Sequence, residues 1–314
     1  MEHSTSLPAS LTKHMDCLEH PLPRQVSNRA NVAQSVILQQ RSSHGTDTTE
    51  TTGTTLWLGA QVLAAYLAET LTFAPTSAEP RRKAVELGGG VGFLAQVLCF
   101  QMSIQKLTKY EAHNCSIVVA AMGYQVTTTD IDPPLTQVLR PNIERNASRT
   151  NLASITVTEL DWCNLPVANE QGIPKAENDV EYALEHGGQQ WNQAWDVILT
   201  TDTIYHADLL QPLLRWIRIL SITSEAANHN DIESLGIQTP TYPPVYVALE
   251  NRDPNLVAKA LALATSYGFI TKRISQSRVD KCLAKTGWSW DRSLKPDYDG
   301  IQIWKWRYSG PPKA

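Results

Sequence analysis

The apolar positions of the chain change their spacing from block to block. "LWLGAQVLAAYLAETL" (56–71) repeats apolar residues at helical spacing and predicts a helix. Short runs rich in apolar and β-branched residues follow and predict strands at 84–88, 124–131 ("YQVTTTDI"), 154–160 ("SITVTEL") and 195–205 ("WDVILTTDTIY"). Three more lie at 244–250 ("PVYVALE"), 269–275 ("FITKRIS") and 301–308 ("IQIWKWRY"), which makes seven. Helical patterns at 91–101, 134–149, 207–220 and 254–267 separate most of them. Such alternation predicts an α/β fold: a mostly parallel, Rossmann-like sheet with helices on both faces. The stretch between the last two strands is too irregular for a clean crossover helix, so these two are expected to form an antiparallel hairpin at the sheet edge.

Two polar insertions, near 167–192 and 222–243, interrupt the pattern and read as surface embellishments, the first with a short helix expected around 176–185. The Thr-rich "RSSHGTDTTETTGTT" (41–55) reads as a mobile, solvated loop. The division expected is therefore an N-terminal extension, 1–53, partly mobile, followed by one domain over 54–314.

Composition narrows the classes. Hydrophobic residues are 42% and charged residues 18% of 314, ordinary values for a soluble globular protein. A formal net charge of −4 leaves no global basic field, so nucleic acid is not the expected partner. The five cysteines are scattered, odd in number and without CxxC, which favours reduced thiols in a cytoplasmic or nuclear setting over a disulfide frame or a metal site. The N-terminus lacks the features of a signal peptide, and nowhere do 18 apolar residues run uninterrupted, so no membrane association is expected.

The chemistry-bearing stretch is "VELGGGVGFLA" (85–95), a strand, a glycine turn and a helical pattern in that order. Glycine lets backbone approach a ligand closely, and both dinucleotides and S-adenosylmethionine bind at such turns. A dinucleotide fingerprint needs glycine at its last place, where this chain has Phe93, so that match fails. What remains is E-x-G-x-G-x-G, with Glu86 in the strand and Gly88, Gly90 and Gly92 in the turn around Gly89. An acid at the end of the next strand would accept the ribose hydroxyls of an adenosine. Asp130 stands there, its alternatives being a helix cap or the neighbouring Asp132.

Taken together, "TTLWLGAQVLAAYL", "VELGGGVGFLA", "VTTTDID", "LRPNIERN", "ELDWCNLP" and "WDVILTTDTIYHADLLQPLL" resemble the family 16 seven-β-strand methyltransferases, a group of protein lysine methyltransferases with fungal members. The resemblance spans roughly 54–308 and implies the seven-stranded methyltransferase sheet with S-adenosyl-L-methionine as cofactor. It implies that Trp57 packs on the cofactor's methionine end by cation–π contact. It further implies that Gly88, Gly89, Gly90 and Asp130 hold the cofactor, that Trp162 packs on the adenine with Asp161 beside it, and that Thr201 faces the cofactor where alanine is usual. The family's acid-x-x-aromatic signature reads Asp202-Thr203-Ile204-Tyr205. Asp202 would hold the acceptor nitrogen, and Tyr205 would wall the methyl channel and accept a hydrogen bond from the amine.

The expected function is thus methyl transfer to a protein lysine, with a translation factor, ribosomal protein or chaperone as substrate. Alternatives are a methyltransferase acting on histidine or a small molecule, and a binding module without turnover. His206 is read as a helix-start cap or, less simply, a base. No G-x-S-x-G elbow, P-loop, HExxH or N-P-P-[FY] motif occurs.

Overall fold

Strand β1 (Cys17–Pro21) and strand β2 (Ser35–Gln39) form an antiparallel hairpin ahead of the main sheet. The computed structural model describes residues 7–28, 34–41, 53–72, 82–93, 122–150, 155–165, 176–232, 242–293 and 296–310. The expected mobile loop lies mostly outside them, as does most of the helix predicted at 91–101. Helix α1 (Leu58–Thr70) is buried along nearly its whole length, as a helix apolar on every side should be. Leu18, Leu22, Val36 and Leu38 of the hairpin region pack into the same core. The described part of the N-terminal extension is therefore built into the fold.

Two tethers hold it there. Gln61 of α1 accepts the Ala9 amide at 2.8 Å, donates to Leu7 O at 3.1 Å and meets His20 Nε2. Helix α2 (Arg140–Thr150) lays Asn142 and Asn146 along β2. The amide of Asn146 exchanges two hydrogen bonds with Ile37, at 3.0 and 2.7 Å, and that of Asn142 two with Gln39, at 2.6 and 2.9 Å. The two amides sit one helical turn apart and serve as a partner strand, satisfying backbone groups that an open edge would leave bare.

The main sheet contains β3 (Lys83–Leu87), β4 (Gln125–Asp130), β5 (Ile155–Glu159), β6 (Val197–Thr201), β7 (Val245–Glu250), β8 (Phe269–Arg273) and β9 (Ile301–Tyr308). Their order is β5-β4-β3-β6-β7-β9-β8. The pairs from β5 to β7 are parallel, whereas β9 runs antiparallel to both β7 and β8. The seven expected strands are all present, and the last two do form an antiparallel pair. The later strand inserts beside β7 and leaves β8 at the edge. Every residue of β6 is buried, as expected for a central strand covered on both faces.

Three expectations need correction. The stretch before β9 holds helix α6 (Gln276–Leu283), whose Val279, Cys282 and Leu283 are buried. Helix α4 (Ala207–Ile232) runs well past its expected end at 220 and takes up part of the second insertion. The first insertion contains the expected short helix, α3 (Ala176–His186), but it is pinned to α4 and is therefore more than a surface embellishment. Buried Asp179 of α3 accepts Arg215 Nη2 at 2.6 Å, Arg215 Nε at 3.1 Å and Arg218 Nη2 at 2.8 Å. Charges buried this deeply persist only when paired and hydrogen-bonded. Helix α5 (Pro254–Ser266), capped by the Asp253 carboxylate, completes the layers. Among the described residues no helix is long and apolar enough to cross a membrane.

Candidate active site

The chain leaves β3 to one side and β6 to the other at adjacent positions in the sheet, and at such a switch point the carboxyl ends of the strands open into a crevice. A cavity of about 560 Å³ lies there, well within the range of small-molecule sites. Trp57, Gly88, Gly89, Gly90, Asp130, Trp162, Thr201, Asp202 and Tyr205 all line it. The fold thus brings together every residue singled out from the sequence as a site residue.

The glycine turn is shaped by its neighbours. Gly88 and Gly90 have φ of 72° and 55°, the left-handed region that favours glycine. At Gly89 the demand is spatial instead, since a Cβ there would stand 2.3 Å from Thr128 Oγ1. Beneath the turn, buried Glu86 accepts Thr128 Oγ1 at 2.9 Å, and burial pushes its carboxyl up to about 8. Glu86 therefore favours the neutral acid beneath the loop near neutral pH, with its carboxyl bonded to Thr128 of β4.

Asp130 closes the other side. Its Oδ2 accepts the Gly90 amide at 2.8 Å and its Oδ1 the Ile131 amide at 2.9 Å. Those two bonds fix the carboxylate across the glycine turn and leave each oxygen a second lone pair for ligand hydroxyls. Burial raises its pKa to about 6, with both amides working against the rise. Asp132 instead caps the following helical turn, accepting the Thr136 amide at 3.1 Å. Asp161 is a cap as well, accepting Cys163 N at 2.8 Å. Next to it the Trp162 indole leans over the glycine turn, 3.4 Å from where a Cβ at Gly88 would stand, and its buried Nε1 has no hydrogen-bond partner among the described residues.

Asp202 is the most unusual residue of the site. It follows β6 directly and is the single non-glycine residue with positive φ among those described, at 54°. Aspartate tolerates this region better than most side chains, yet the conformation still costs of order 1 kcal/mol or more and is over-represented at functional sites. Its amide donates to Ala248 O at 2.8 Å, and its Oδ1 accepts the Glu250 amide at 3.2 Å. Buried Oδ2 has no full hydrogen-bond partner among the described residues. The Gly59 amide at the start of α1 is close enough to favour the carboxylate, and a Cβ at Gly59 would come within 2.3 Å of Oδ2. Burial carries the carboxyl up to about 7, with the Glu250 amide and the Arg252 charge opposing the rise. Tyr205 stands at the mouth, 48% exposed. His206 accepts the Asp208 amide at 3.4 Å at the start of α4, in the manner of a cap.

Trp57 stands at the N-cap position of α1, where cations of the chain itself face its ring: Lys13 Nζ at 3.6 Å and Arg252 Cζ at 4.8 Å from the centroid. Glu250, Arg252 and Gly59 were not singled out from the sequence. The signal for the first two was position: "ENRDP" is a charged stretch just beyond a parallel strand's carboxyl end, the edge where ligands bind. Gly59 carries no such signal, for its need arises only from the approach of Asp202.

Residues 39–173 match the sequence model of a lysine methyltransferase family. That stretch runs from the end of β2 past β5 and contains Trp57, Gly88, Gly89, Gly90, Asp130 and Trp162, while Asp202 and Tyr205 lie beyond it. The family read from the sequence motifs is the one matched. No curated protein matches the chain. Among solved structures, the human methyltransferase 10 domain containing protein aligns at 9% identity over 81% of this chain and 84% of its own, with a TM-score of 0.36. A TehB-like S-adenosylmethionine-dependent methyltransferase from Corynebacterium glutamicum aligns at 10% over 80% and 86%, TM-score 0.34. The glycopeptide N-methyltransferase MtfA, solved with S-adenosyl-L-methionine, aligns at 8% over 79% and 87%, TM-score 0.36.

The family's methyl donor, S-adenosyl-L-methionine, is the cofactor, and the residues present fit it. Asp130 offers free lone pairs beside the glycine turn, Trp162 offers an aromatic face with an unpaired buried N–H, and the cavity is large enough.

Proposed function

We propose that the chain transfers methyl groups from S-adenosyl-L-methionine to a lysine side chain of a protein. The observation that supports this most is Asp202: a buried carboxylate held in a strained backbone conformation, with one oxygen unpaired, in the same cavity as the Asp130 cradle. When bound, the cofactor supplies an electrophilic methyl group on a sulfonium. The chain's own work is binding and placement. Asp130 receives ribose hydroxyls, and Trp162 covers the adenine. Thr201 closes the inner wall. Asp202 receives the acceptor nitrogen as the neutral amine and stabilises the positive charge that the nitrogen gains with the methyl group, before a proton is lost to solvent. Tyr205, partly open to solvent, forms the outer wall along which an extended side chain would enter.

A translation factor, ribosomal protein or chaperone is the substrate class we favour, encountered in the cytoplasm or nucleus. The test is incubation of the purified chain with labelled S-adenosyl-L-methionine and a protein extract, followed by mass spectrometry of labelled bands. Label on lysine is the expected result. Label on histidine, or only on small molecules, would replace the acceptor class; no transfer to any acceptor despite tight cofactor binding would leave a binding module.

A further inference from the structure

We propose that Arg252 is the positioning residue of this site: its guanidinium braces Trp57 and Glu250 at the cavity and so keeps in place the Glu250 amide and the positive charge that act on Asp202. The inference rests on the reading of Asp202 given above and adds the group that governs it.

The geometry is specific. Arg252 and Glu250 flank Asn251 just beyond β7, and both line the cavity. The guanidinium pairs with the Glu250 carboxylate and stacks on the Trp57 ring, centroid 4.8 Å away. Glu250 in turn gives its backbone amide to Asp202 Oδ1. One side chain therefore joins the tryptophan on the cavity wall, the acid beside it and the loop that fixes Asp202. An arginine suits this role better than a lysine, because a planar guanidinium can stack on an indole while its edge keeps an ion pair.

The electrostatics agree. The charged groups that act on Asp202 are Arg252, which favours its carboxylate, and Glu250, which disfavours it. From α1 only the Gly59 amide reaches it, and Lys13, from the N-terminal segment, reaches the Trp57 ring. After the Glu250 amide, Arg252 is the group that works most against burial, which drives Asp202 towards the neutral acid. The sign follows. A carboxyl titrating near 7 is charged above that pH, so loss of the guanidinium moves the titration further up and leaves less carboxylate at neutral pH. A neutral acid cannot take the acceptor's charge.

The experiment follows the Asp202 carboxyl by carbon NMR in the full chain, assigned by its disappearance in Asp202→Asn. Wild type, Arg252→Gln and Arg252→Lys are compared, with thermal melting as the check on folding. The expected result is an upward shift of about one pH unit in Arg252→Gln, largely restored by Arg252→Lys because the charge returns. The Trp57 fluorescence environment should stay altered in both variants, since lysine does not restore the planar stack. An unchanged Asp202 midpoint in folded Arg252→Gln overturns the inference. So does a shift of the same size in both variants, which would point to packing instead of charge. This readout needs no turnover, so failure of wild type to methylate any acceptor would overturn the functional reading alone.

Discussion

Two buried aspartates divide this protein between structure and chemistry. Asp179, where α3 meets α4, accepts three hydrogen bonds from two arginines and leaves neither oxygen unpaired. Asp202, at the end of β6, has one amide on one oxygen, no full hydrogen bond on the other among the described residues with only the Gly59 amide near, and a strained backbone of its own. Asp179 is 2% exposed, and Asp202, though partly exposed as a residue, keeps its Oδ2 out of water, so burial of the carboxyl oxygens alone does not separate them. Satisfaction does: a charge with both oxygens answered by cations fixes an insertion to the fold, while a charge left half answered at a cavity is kept for something that arrives there.

The comparison breaks first at Asp179. Asp179→Ala should destabilise the fold by about 3–5 kcal/mol, because two arginines would remain buried without their acid. Cofactor affinity per folded molecule should not change. Denaturant melts and calorimetry with S-adenosylhomocysteine would check both halves, and a well-folded variant that fails to bind would place Asp179 on the functional side.

Asp130 lies between the two cases, since its two amide bonds still leave it lone pairs to offer. Asp130→Ala should lower cofactor affinity by about 2–3 kcal/mol, roughly 30- to 150-fold, with the fold retained. Unchanged affinity by calorimetry would show that its bonds to Gly90 and Ile131 are its whole purpose. Tyr205→Phe should have the smallest effect. It keeps the aromatic wall and removes a single hydroxyl hydrogen bond, worth about 0.5–1.5 kcal/mol, and should appear in transfer rate rather than in melting temperature.

Much of the site was legible because its residues sit where chain pattern and topology coincide. A glycine turn after an apolar strand, an acid ending the next strand and an acid-x-x-aromatic segment ending a third all fall on one sheet edge once the strands are parallel. Asp130 needs nothing more to be found, whereas Trp162 and the Asp202 segment became legible through the family resemblance. Asp179 was not legible, because an acid in a polar insertion looks solvated until the arginines of a distant helix are seen to close on it. Arg215 and Arg218 look equally ordinary in sequence. The β1–β2 hairpin was missed for a related reason: its strands are five residues each, and the side chains that complete its edge, Asn142 and Asn146, lie about a hundred residues away. The insertion of β9 between β7 and β8 is likewise a matter of pairing, which strand pattern alone does not rank.

The measurement that bears most directly on the account is single-turnover methyl transfer by Asp202→Ala, taken with its melting temperature and its affinity for S-adenosylhomocysteine. The account predicts cofactor affinity and stability near those of the wild type and a transfer rate lower by about two orders of magnitude or more, the scale of one preorganised electrostatic group. Removal of the unpaired buried oxygen favours the fold, whereas alanine suits the positive φ less well than aspartate, so the two effects oppose each other and the melting temperature should move little. A variant that melts early but transfers methyl groups at the wild-type rate per folded molecule would contradict it, and would make Asp202 a second Asp179.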